Sequence, residues 1–463
     1  MAQNSGNSEV KLRRVLSLSD LVIYGLIIIQ PMAAFPLFGL ANRDSQGHTV
    51  TVILGAMIAI IFTAISYGRM ANRYPAAGSA YTYVGRGINP HLGFIAGFTM
   101  VMDYMIIPII CTIYSGITMN MFIPFIPTRV WFIVFAFGFT YLNLIGIRAT
   151  NRANWIMMIF MCTVVFWFMG AAIRYLFLKN GLGGLLTTEP FYHKDTFSLA
   201  AIGRGTALAA LTYIGFDGMT TLSEEVENPR RNVLLATVMT CLITGIWSGS
   251  QIYLAQAAVP WSDWPAFLEK MSVKFGANNA LEKAIVGVSD LVGGSLLGFT
   301  VGFLVLLGSV GSGVTGMTGA ARVLYGMGRD RILPPRVFGH LSTKYAVPSN
   351  NIVLIGILTF VAANILTYDK CAHLINFGAF LGFMLVNLAA MREYYLLGGK
   401  KTGKSFFKNF LPPIIGFVAC AAVWLSLPKL TFMIGGTWLA IGIIFLAVRT
   451  KGFREKYEVK DIF

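Results

Sequence analysis

Residues 211–231 read LTYIGFDGMTTLSEEVENPRR, an apolar run that is interrupted near its middle and ends in charged residues. Gly215 and Gly218 flank Asp217 at the interruption, and neither glycine nor aspartate favours the interior of a helix. Together with the apolar residues before it, the segment 197–222 is long enough to cross a bilayer. The stretch therefore predicts a membrane-spanning helix that breaks near its centre.

The composition of the whole chain indicates a membrane protein. Of its 463 residues, 56% are hydrophobic and only 12% are charged. A soluble protein of this length has no room to hide so much apolar surface, because its exterior must be wetted. Lipid as the solvent removes that limit, and the 49 glycines suit helices that pack closely within a membrane.

Twelve apolar segments are candidates for membrane spans, since a span needs about 20 apolar residues. They are 18–40, 49–68, 91–117, 129–147, 154–178, 197–222, 232–258, 293–325, 349–367, 372–397, 411–427 and 431–448. The third and eighth spans are long and must tilt or extend past the bilayer. The loop 260–290 has room for a short amphipathic helix, and the loop 69–90 is expected to fold against the cytoplasmic face.

The net charge of +16 is interpreted as topology rather than as nucleic-acid binding. Lysine and arginine concentrate in alternate loops, as the positive-inside rule requires of cytoplasmic loops. Arg69, Arg73 and Arg86 lie in one such loop, and Arg230 and Arg231 in another. Both termini are therefore expected in the cytoplasm, which agrees with an even number of spans.

Span one carries an interruption like that of span six. Pro31 and Pro36 lie near its middle, and proline has no backbone N–H to donate. Two interrupted helices at corresponding places in the chain point to a transporter binding site near the bilayer midplane. The alternative is that each interruption is only a packing kink.

The spacing of the two interruptions predicts an internal repeat. Five helices in 18–178 would match five in 197–397, and the two units would have opposite orientation because five is odd. Helices eleven and twelve, within 411–448, would follow. Residues 1–17 and 449–463 would form cytoplasmic ends. The predicted fold is thus an all-α polytopic membrane protein of about twelve helices.

Four blocks of residues, collinear over nearly the whole chain, resemble the amino acid–polyamine–organocation superfamily. They are the Gly-Phe-Asp break at 215–217 followed by Glu224, Glu225 and Asn-Pro-Arg at 228–230, then AGSAYTY at 77–83, ARVLYGMGRD at 321–330 and INFG at 375–378. Within the superfamily the chain looks most like bacterial putrescine importers, on INPHLGF at 88–94, Asp103-Tyr104 and PRVFG at 335–339. The resemblance implies the five-plus-five inverted-repeat (LeuT-like) fold in a bacterial inner membrane, with substrate between helices one and six.

The chemistry of the two breaks also predicts a binding site. Unwinding frees N–H and C=O groups that must be satisfied at membrane depth. Half-helix N-termini attract anionic groups, and freed carbonyls attract ammonium groups or cations. The predicted substrate-binding residues are Pro31, Met32, Ala33, Ala34 and Phe35 of span one and Tyr213, Gly215, Phe216, Asp217 and Gly218 of span six. Tyr213 is a candidate lid over the substrate, with a core aromatic as the alternative.

The sequence departs from the superfamily at the first break. Amino acid transporters of the superfamily usually place Gly-Ser-Gly where this chain has Pro31-Met32-Ala33, and Pro31 offers no N–H to a carboxylate. The putrescine importers carry an aspartate where this chain has Pro36. A diamine needs a negative partner at each end, because each ammonium loses its water on binding. A substrate with one amino group is therefore favoured over a diamine.

Asp103 in span three and Asp217 in span six are acidic residues at membrane depth, where ionisable groups are costly and indicate function. Either could pair with an amine. The alternatives are a structural hydrogen bond for Asp103 and a helix cap for Asp217. Because desolvation disfavours the charged carboxylate, one of the two is also predicted to carry a coupling proton. Sodium is the alternative coupling ion, held by the hydroxyls of Ser309, Ser312 and Thr315 with carbonyls of span one.

An inner gate is predicted at the cytoplasmic end of span six, from Glu224 and Glu225 with Arg231. A solvated loop pair is the alternative. The function expected from these features is ion-coupled import of a small amino acid or polyamine. The rival within transport is an antiporter that trades a substrate for its decarboxylation product.

Other functional classes find no support in the sequence. The histidines and five cysteines lack metal-ligand spacing, and no triad or carboxylate pair suggests catalysis. The glycines at 311, 313 and 316 spell a dinucleotide fingerprint, but they lie inside an apolar span rather than after a strand. No enzyme activity, metal, cofactor or nucleic-acid partner is predicted. The lipid bilayer and the substrate are the only partners inferred.

Overall fold

The computed structural model describes residues 16–74, 79–146, 151–223, 226–329, 331–342, 345, 347–398 and 402–454. Its α-helices in chain order are α1 (Leu18–Ile29), α2 (Phe38–Ser45), α3 (Thr49–Arg73), α4 (Ser79–Gly87), α5 (Pro90–Phe122), α6 (Thr128–Leu144), α7 (Asn151–Leu185), α8 (Leu199–Ala209), α9 (Pro229–Ala258), α10 (Trp264–Phe275), α11 (Ala284–Arg329), α12 (Pro335–Phe338), α13 (Ser349–Ala363), α14 (Tyr368–Met391), α15 (Gly403–Ser405), α16 (Leu411–Leu425) and α17 (Lys429–Arg449).

The helices confirm an all-α polytopic membrane protein. Within the described ranges, nine helical segments are long and apolar enough to cross a membrane. Three shorter apolar helices, α1, α6 and α13, account for the rest of the twelve predicted segments. Two helices run beyond the predicted bounds: α3 continues to Arg73, and α11 begins at Ala284, with a kink at Gly294, where φ is 79°. Hydropathy marks only the apolar part of a helix, whereas backbone hydrogen bonding continues into the polar interface.

Two of the predicted loops contain helices. The loop 260–290 contains α10, in agreement with the predicted short helix. The loop 69–90 holds the end of α3 and then α4, where Tyr81, Thr82, Tyr83 and Val84 are all buried. This loop therefore contributes a helix to the protein core.

The first span is broken between α1 and α2. Helix α1 ends at Ile29, Gln30 takes a left-handed φ of 72°, and a 3-10 turn at Phe35–Leu37 leads into α2. The carbonyl of Pro31, freed by the break, accepts hydrogen bonds from Trp247 Nε1 at 2.8 Å and Gln251 Nε2 at 2.9 Å. Both donors belong to α9, so a neighbouring helix satisfies the carbonyl and anchors the break.

The sixth span is broken at Ile214 and Gly215, between 3-10 segments at Ala210–Tyr213 and Phe216–Leu222. Gly215 has φ 113°, a conformation that side chains rarely tolerate. A Cβ at this position would also lie 2.7 Å from Ile28 Cγ2 of α1. The glycine is thus required twice, for its backbone angle and for the close approach of the two broken spans.

The two broken spans also meet beyond their ends. Leu16, before α1, forms an isolated parallel bridge with Val226, after the second 3-10 segment of span six. Glu227 N donates to Leu16 O at 2.8 Å. This contact puts the start of span one and the end of span six on the same side of the protein, as opposite repeat orientations require. The repeat boundaries themselves remain a prediction.

Helices α5 and α14 approach closely beside the broken spans. A Cβ on Gly378 of α14 would lie 2.6 Å from the Thr99 carbonyl and 3.3 Å from Asp103 N, both in α5. Only glycine lets two backbones pack at this distance. The contact fixes the part of α5 that carries Asp103.

We predict that substitutions of the two residues that donate to the Pro31 carbonyl have non-additive effects on the free energy of unfolding. Gln251→Leu or Trp247→Phe alone should lower the free energy of unfolding by about 0.5–1 kcal/mol, because one donor remains. The double variant should lose about 1–3 kcal/mol more of the free energy of unfolding than the sum of the two single variants, because the carbonyl then has no donor. Thermal unfolding in detergent measures these differences.

The matched control is Ser250→Ala on the same helix, whose hydroxyl bonds only to the Ile246 carbonyl within α9. It should leave stability nearly unchanged. Strict additivity of the two substitutions would show that α9 does not satisfy the first break.

Candidate functional site

Asp217 lies at the second residue of the 3-10 segment after the span-six break and is buried. Its Oδ2 accepts a hydrogen bond from Tyr104 Oη of α5 at 3.2 Å. The backbone N–H of Gly218 also lies beside the carboxylate, and Thr220 Oγ1 donates to the Asp217 carbonyl at 2.7 Å. The carboxylate therefore lies in the first turn of a helical segment and accepts a hydrogen bond from a neighbouring helix.

Asp103 is the second buried carboxylate, and it lies close enough to Asp217 for their charges to interact. Its Oδ1 has no hydrogen-bond partner among the described residues. Within the same residues, no lysine, arginine or histidine comes within ion-pair distance of Asp103 or Asp217. Two uncompensated carboxylates in a desolvated place are costly unless a proton or a cation joins them.

A cluster of aromatic side chains packs beside the two carboxylates. The ring of Tyr67 in α3 lies 5.9 Å from Tyr83 of α4, 5.4 Å from Phe216 and 5.7 Å from Phe383 of α14. Tyr67 also lies within electrostatic range of Asp217. Aromatic faces attract cations, so this wall suits an ammonium group.

Sequence reasoning missed most of this wall. Tyr83 stands in the AGSAYTY block and Tyr104 beside Asp103, so a signal existed for these two residues. Tyr67 and Phe383 are ordinary aromatics in apolar runs, and nothing in the sequence shows which way their helices turn them.

The predicted residues of span one divide by exposure. Pro31 and Ala33 keep partial exposure, whereas Met32, Ala34 and Phe35 are buried. The Phe35 ring packs edge-on against Phe168 of α7 at 5.1 Å. Phe35 is thus engaged with α7 in this conformation, and the predicted role of these residues in binding remains a prediction.

The predicted residues of span six cluster around its break. Gly215 and Gly218 are partly exposed, and Phe216 is buried in the aromatic wall. Tyr213 is buried, and its hydroxyl donates to the Ile53 carbonyl of α3 at 2.8 Å. This contact is what the alternative to a lid, a core aromatic, would make.

The hydroxyls considered for sodium lie on α11. Ser312 Oγ accepts a hydrogen bond from Gln30 Nε2 at 3.0 Å. Thr315 Oγ1 donates to the Gly311 carbonyl at 2.9 Å within its own helix, and Ser309 is half-buried.

The predicted inner gate is only partly visible. Arg231 is exposed in the first turn of α9. Glu224 and Glu225 lie outside the described residues, so the proposed ion pairs remain a prediction.

A cluster of charged residues that the sequence did not suggest joins α2 to α14. Arg43 donates to Asp44 at 2.7 Å and to Asp369 at 3.3 Å, and His373 Nε2 lies 3.4 Å from Asp369 Oδ1. The Asp44, Asp369 and His373 ligand atoms lie within 4.8 Å of one another, as a metal site would need. The Arg43 guanidinium already bonds both carboxylates, so the cluster is an ionic link between the second half of span one and the start of span ten.

Known sequences resemble this chain along nearly its whole length. A sequence model of the family described as amino acid permease matches residues 18–452. The low-affinity putrescine importer of Escherichia coli (strain K12) is 32% identical over 451 residues, covering 97% of this chain and 96% of the relative. The branched-chain amino acid permease of Bacillus subtilis (strain 168) is 25% identical over 480 residues, covering 96% and 94%. The methylthioribose transporter of the same organism is 23% identical over 474 residues, covering 96% and 95%.

The family match and the geometry agree. The matched residues include both broken spans, the two buried carboxylates and the α5–α14 contact. The named relatives are transporters rather than enzymes, and the helices of this chain are those of a multi-pass membrane protein. The chain therefore belongs to the amino acid permease family within the amino acid–polyamine–organocation superfamily of membrane transporters.

Proposed function

We propose that the chain imports a small amine-bearing solute across a bacterial inner membrane by ion-coupled alternating access. The observation that carries this proposal is the pair of buried carboxylates, Asp103 and Asp217, without a basic partner among the described residues. An ammonium group would supply the missing positive charge, and a buried charge that lacks its partner costs several kcal/mol.

The ammonium group is assigned to Asp217. The Tyr104 hydroxyl holds one carboxylate oxygen and orients the other. The Tyr67 ring lies within electrostatic range of this carboxylate, and aromatic rings attract cations. The break in span six lies next to this carboxylate, and the unwound carbonyls of such a break attract cations. These groups bind the amine end that amino acids and polyamines share.

The proposed substrate carries one amino group, because Asp103 is assigned to the coupling proton. In that role Asp103 is protonated in one state and ionised in another. Its negative charge is therefore not available to pair with a second ammonium group. Pro36 adds no acid to the first break.

Putrescine is the second candidate, and a specific observation favours it. Asp103 Oδ1 has no hydrogen-bond partner among the described residues, so it has a free acceptor for a second ammonium. The Escherichia coli relative is named as a putrescine importer, which gives the diamine further support. Substrate/product exchange is a further mode that the same site would serve.

The first test is counterflow and competition in proteoliposomes that contain the full-length protein. Labelled putrescine and labelled leucine serve as probes, each challenged with neutral amino acids, monoamines and putrescine. We expect the compounds with one amino group to compete best, because only Asp217 is available to an ammonium. Inhibition by putrescine alone would contradict the single-amine substrate and favour the second candidate.

The same vesicles separate import from exchange. A net importer accumulates labelled substrate on an ion gradient in vesicles that were not preloaded with substrate, whereas an exchanger requires substrate on both sides of the membrane. Absence of counterflow for every amine in the panel would contradict the proposed function itself.

A second test concerns Asp217 and Tyr104. Asp217→Asn should weaken amine binding by about 10–100-fold, because a charge-assisted contact contributes about 1.5–3 kcal/mol. Tyr104→Phe should weaken it roughly fivefold, because a neutral hydrogen bond contributes about 1 kcal/mol. Dissociation constants from equilibrium binding measure both effects.

The control for this test is Asp290→Asn, which removes a carboxylate paired with Lys274 away from the breaks. Its dissociation constant should equal that of the unmodified protein. Unchanged binding in Asp217→Asn would remove Asp217 from the site.

A third test concerns proton coupling through Asp103. Uptake should rise as the external pH falls and collapse with a protonophore, because a proton must join the buried carboxylate from outside. Asp103→Asn, which keeps the shape but never ionises, should retain counterflow and lose accumulation on a pH gradient. Accumulation that persists in this variant would contradict the role of Asp103. A selective loss of putrescine affinity would instead identify Asp103 as the partner of a second ammonium.

A further inference from the structure

A lysine is buried in the loop that joins α10 to α11. Lys283, the last residue before α11, is only 1% exposed, and its neighbour Glu282 is also buried. Lysine is rarely buried to this degree unless other groups replace the water around its ammonium. The loop packs tightly here, since a Cβ on Gly39 of α2 would lie 2.1 Å from the Leu281 carbonyl oxygen. The protein therefore holds an ammonium group in its interior, next to the second half of span one.

Two side chains of α5 hold the Lys283 ammonium. Its Nζ donates a hydrogen bond to Thr118 Oγ1 and lies over the Tyr114 ring, 4.4 Å from the ring centroid. The Thr118 hydroxyl donates its own proton to the Tyr114 carbonyl at 2.8 Å, so toward the lysine it can only accept. An oriented acceptor and an aromatic ring together form a binding place for an ammonium cation.

The Tyr114 ring is fixed by α14 and by the loop. It packs against the Tyr368 ring of α14, with 5.3 Å between the ring centroids. Its hydroxyl donates to the Glu282 carbonyl at 3.2 Å. The acceptor and the two rings belong to α5 and α14, whereas the ammonium comes from the loop. A loop that moves away from α5 therefore takes the ammonium with it and leaves the acceptor and the rings behind as an open site.

This place lies in line with Asp103 along α5. Tyr114 is about three helical turns, or about 16 Å, beyond Asp103, and three turns return a residue to nearly the same face of a helix. Helices α5 and α14 meet at both levels, through Gly378 beside Asp103 and through Tyr368 beside Tyr114. The charge pattern of the loops predicts that the Tyr114 end faces the outside. A solute that enters along this seam meets Tyr114 before it meets Asp103 and Asp217.

We propose that Tyr114 and Thr118 form an outer site for a primary amine, which Lys283 fills in this conformation and a substrate ammonium fills when the loop moves away from α5. The lysine side chain ends in the group that the proposed substrates share, an ammonium on an alkyl carbon. Substrate and lysine therefore compete for one acceptor and one ring, and an arriving amine releases the loop. Tyr368 is a positioning residue, because it supports the Tyr114 ring. The inference rests on the proposed amine substrate and adds a site distinct from Asp217.

The test measures how accessible Lys283 is in the full-length protein in detergent. The probe is n-butylamine, which is the lysine side chain without its backbone. An acetylating reagent modifies accessible lysines, and mass spectrometry compares Lys283 with Lys270, an exposed lysine of α10. Dividing the acetylation of Lys283 by that of Lys270 corrects for reagent that the probe consumes.

The ratio of Lys283 to Lys270 acetylation should rise about threefold or more when n-butylamine is present at several times its dissociation constant. The reason is mass action, because a ligand that binds only the state with the loop displaced increases the population of that state. The uncharged n-butanol should leave the ratio unchanged. A ratio that stays constant or falls with n-butylamine overturns the proposal.

Thr118→Val removes the acceptor and keeps the size of the side chain. Lys283 should then be acetylated more readily without any amine, and n-butylamine should no longer change the ratio. The matched control on α5 is Thr112→Val, since the Thr112 hydroxyl has no hydrogen-bond partner among the described residues. This control should respond to n-butylamine as the unmodified protein does. A full response in Thr118→Val would overturn the proposed site.

Variants at residue 283 test the site by stability instead of acetylation. Lys283→Ala leaves the space of the lysine chain open, so n-butylamine should raise its thermal unfolding midpoint in a saturable manner. Lys283→Met fills that space with an uncharged chain and should show no such rise. Both variants also carry Asp217→Asn, so that binding at the span-six break does not contribute. No rise in Lys283→Ala, or an equal rise in Lys283→Met, overturns the proposal.

The acetylation assay in Asp217→Asn, together with amine counterflow, separates this inference from the proposed function. The n-butylamine response of Lys283 should persist in Asp217→Asn, and its loss would overturn the outer site, because the loop would then be responding to the span-six break. Counterflow without any response of Lys283 overturns the outer site and leaves amine transport intact. A response of Lys283 without counterflow overturns amine transport and supports the outer site.

Discussion

The structure depends on the need to satisfy every backbone polar group at membrane depth. A continuous helix does this alone, and a broken helix requires donors and acceptors from its neighbours. Span one meets the requirement with Trp247 and Gln251 of α9, which donate to the Pro31 carbonyl. The same hydrogen bonds that satisfy the break therefore also fix the position of α9 against span one.

The same constraint explains where the charges lie. Asp103 and Asp217 sit beside the broken spans, without a basic partner among the described residues, in a wall of tyrosine and phenylalanine rings. Such a place is unfavourable for an empty, fully ionised site. It becomes favourable when a proton or an ammonium group enters, and this difference is what couples occupancy to conformation in a transporter.

Glycines let the elements that carry these groups approach one another. Gly215 lets span six approach α1, Gly378 lets α14 approach α5 beside Asp103, and Gly308 admits Gln30 and Met32. Each glycine lies where two elements that carry functional groups meet. At one end of the protein the Arg43–Asp369 pair adds an ionic link between α2 and α14. Surface pairs of this kind contribute little to stability, but they orient two elements relative to each other.

The sequence by itself determined the features that depend on neighbouring residues. Apolar runs of bilayer length predicted the twelve segments, and Pro31 and the Gly215-Phe216-Asp217-Gly218 stretch predicted the two breaks, because proline and glycine act on their own backbone. Tertiary structure decided which groups complete the site. Tyr67, Phe383, Gln30 with Ser312, and Arg43 with Asp369 are brought together from distant segments, up to 326 residues apart. Their meeting depends on how each helix is rotated about its axis, and that rotation is set by packing across the whole bundle rather than by any local pattern.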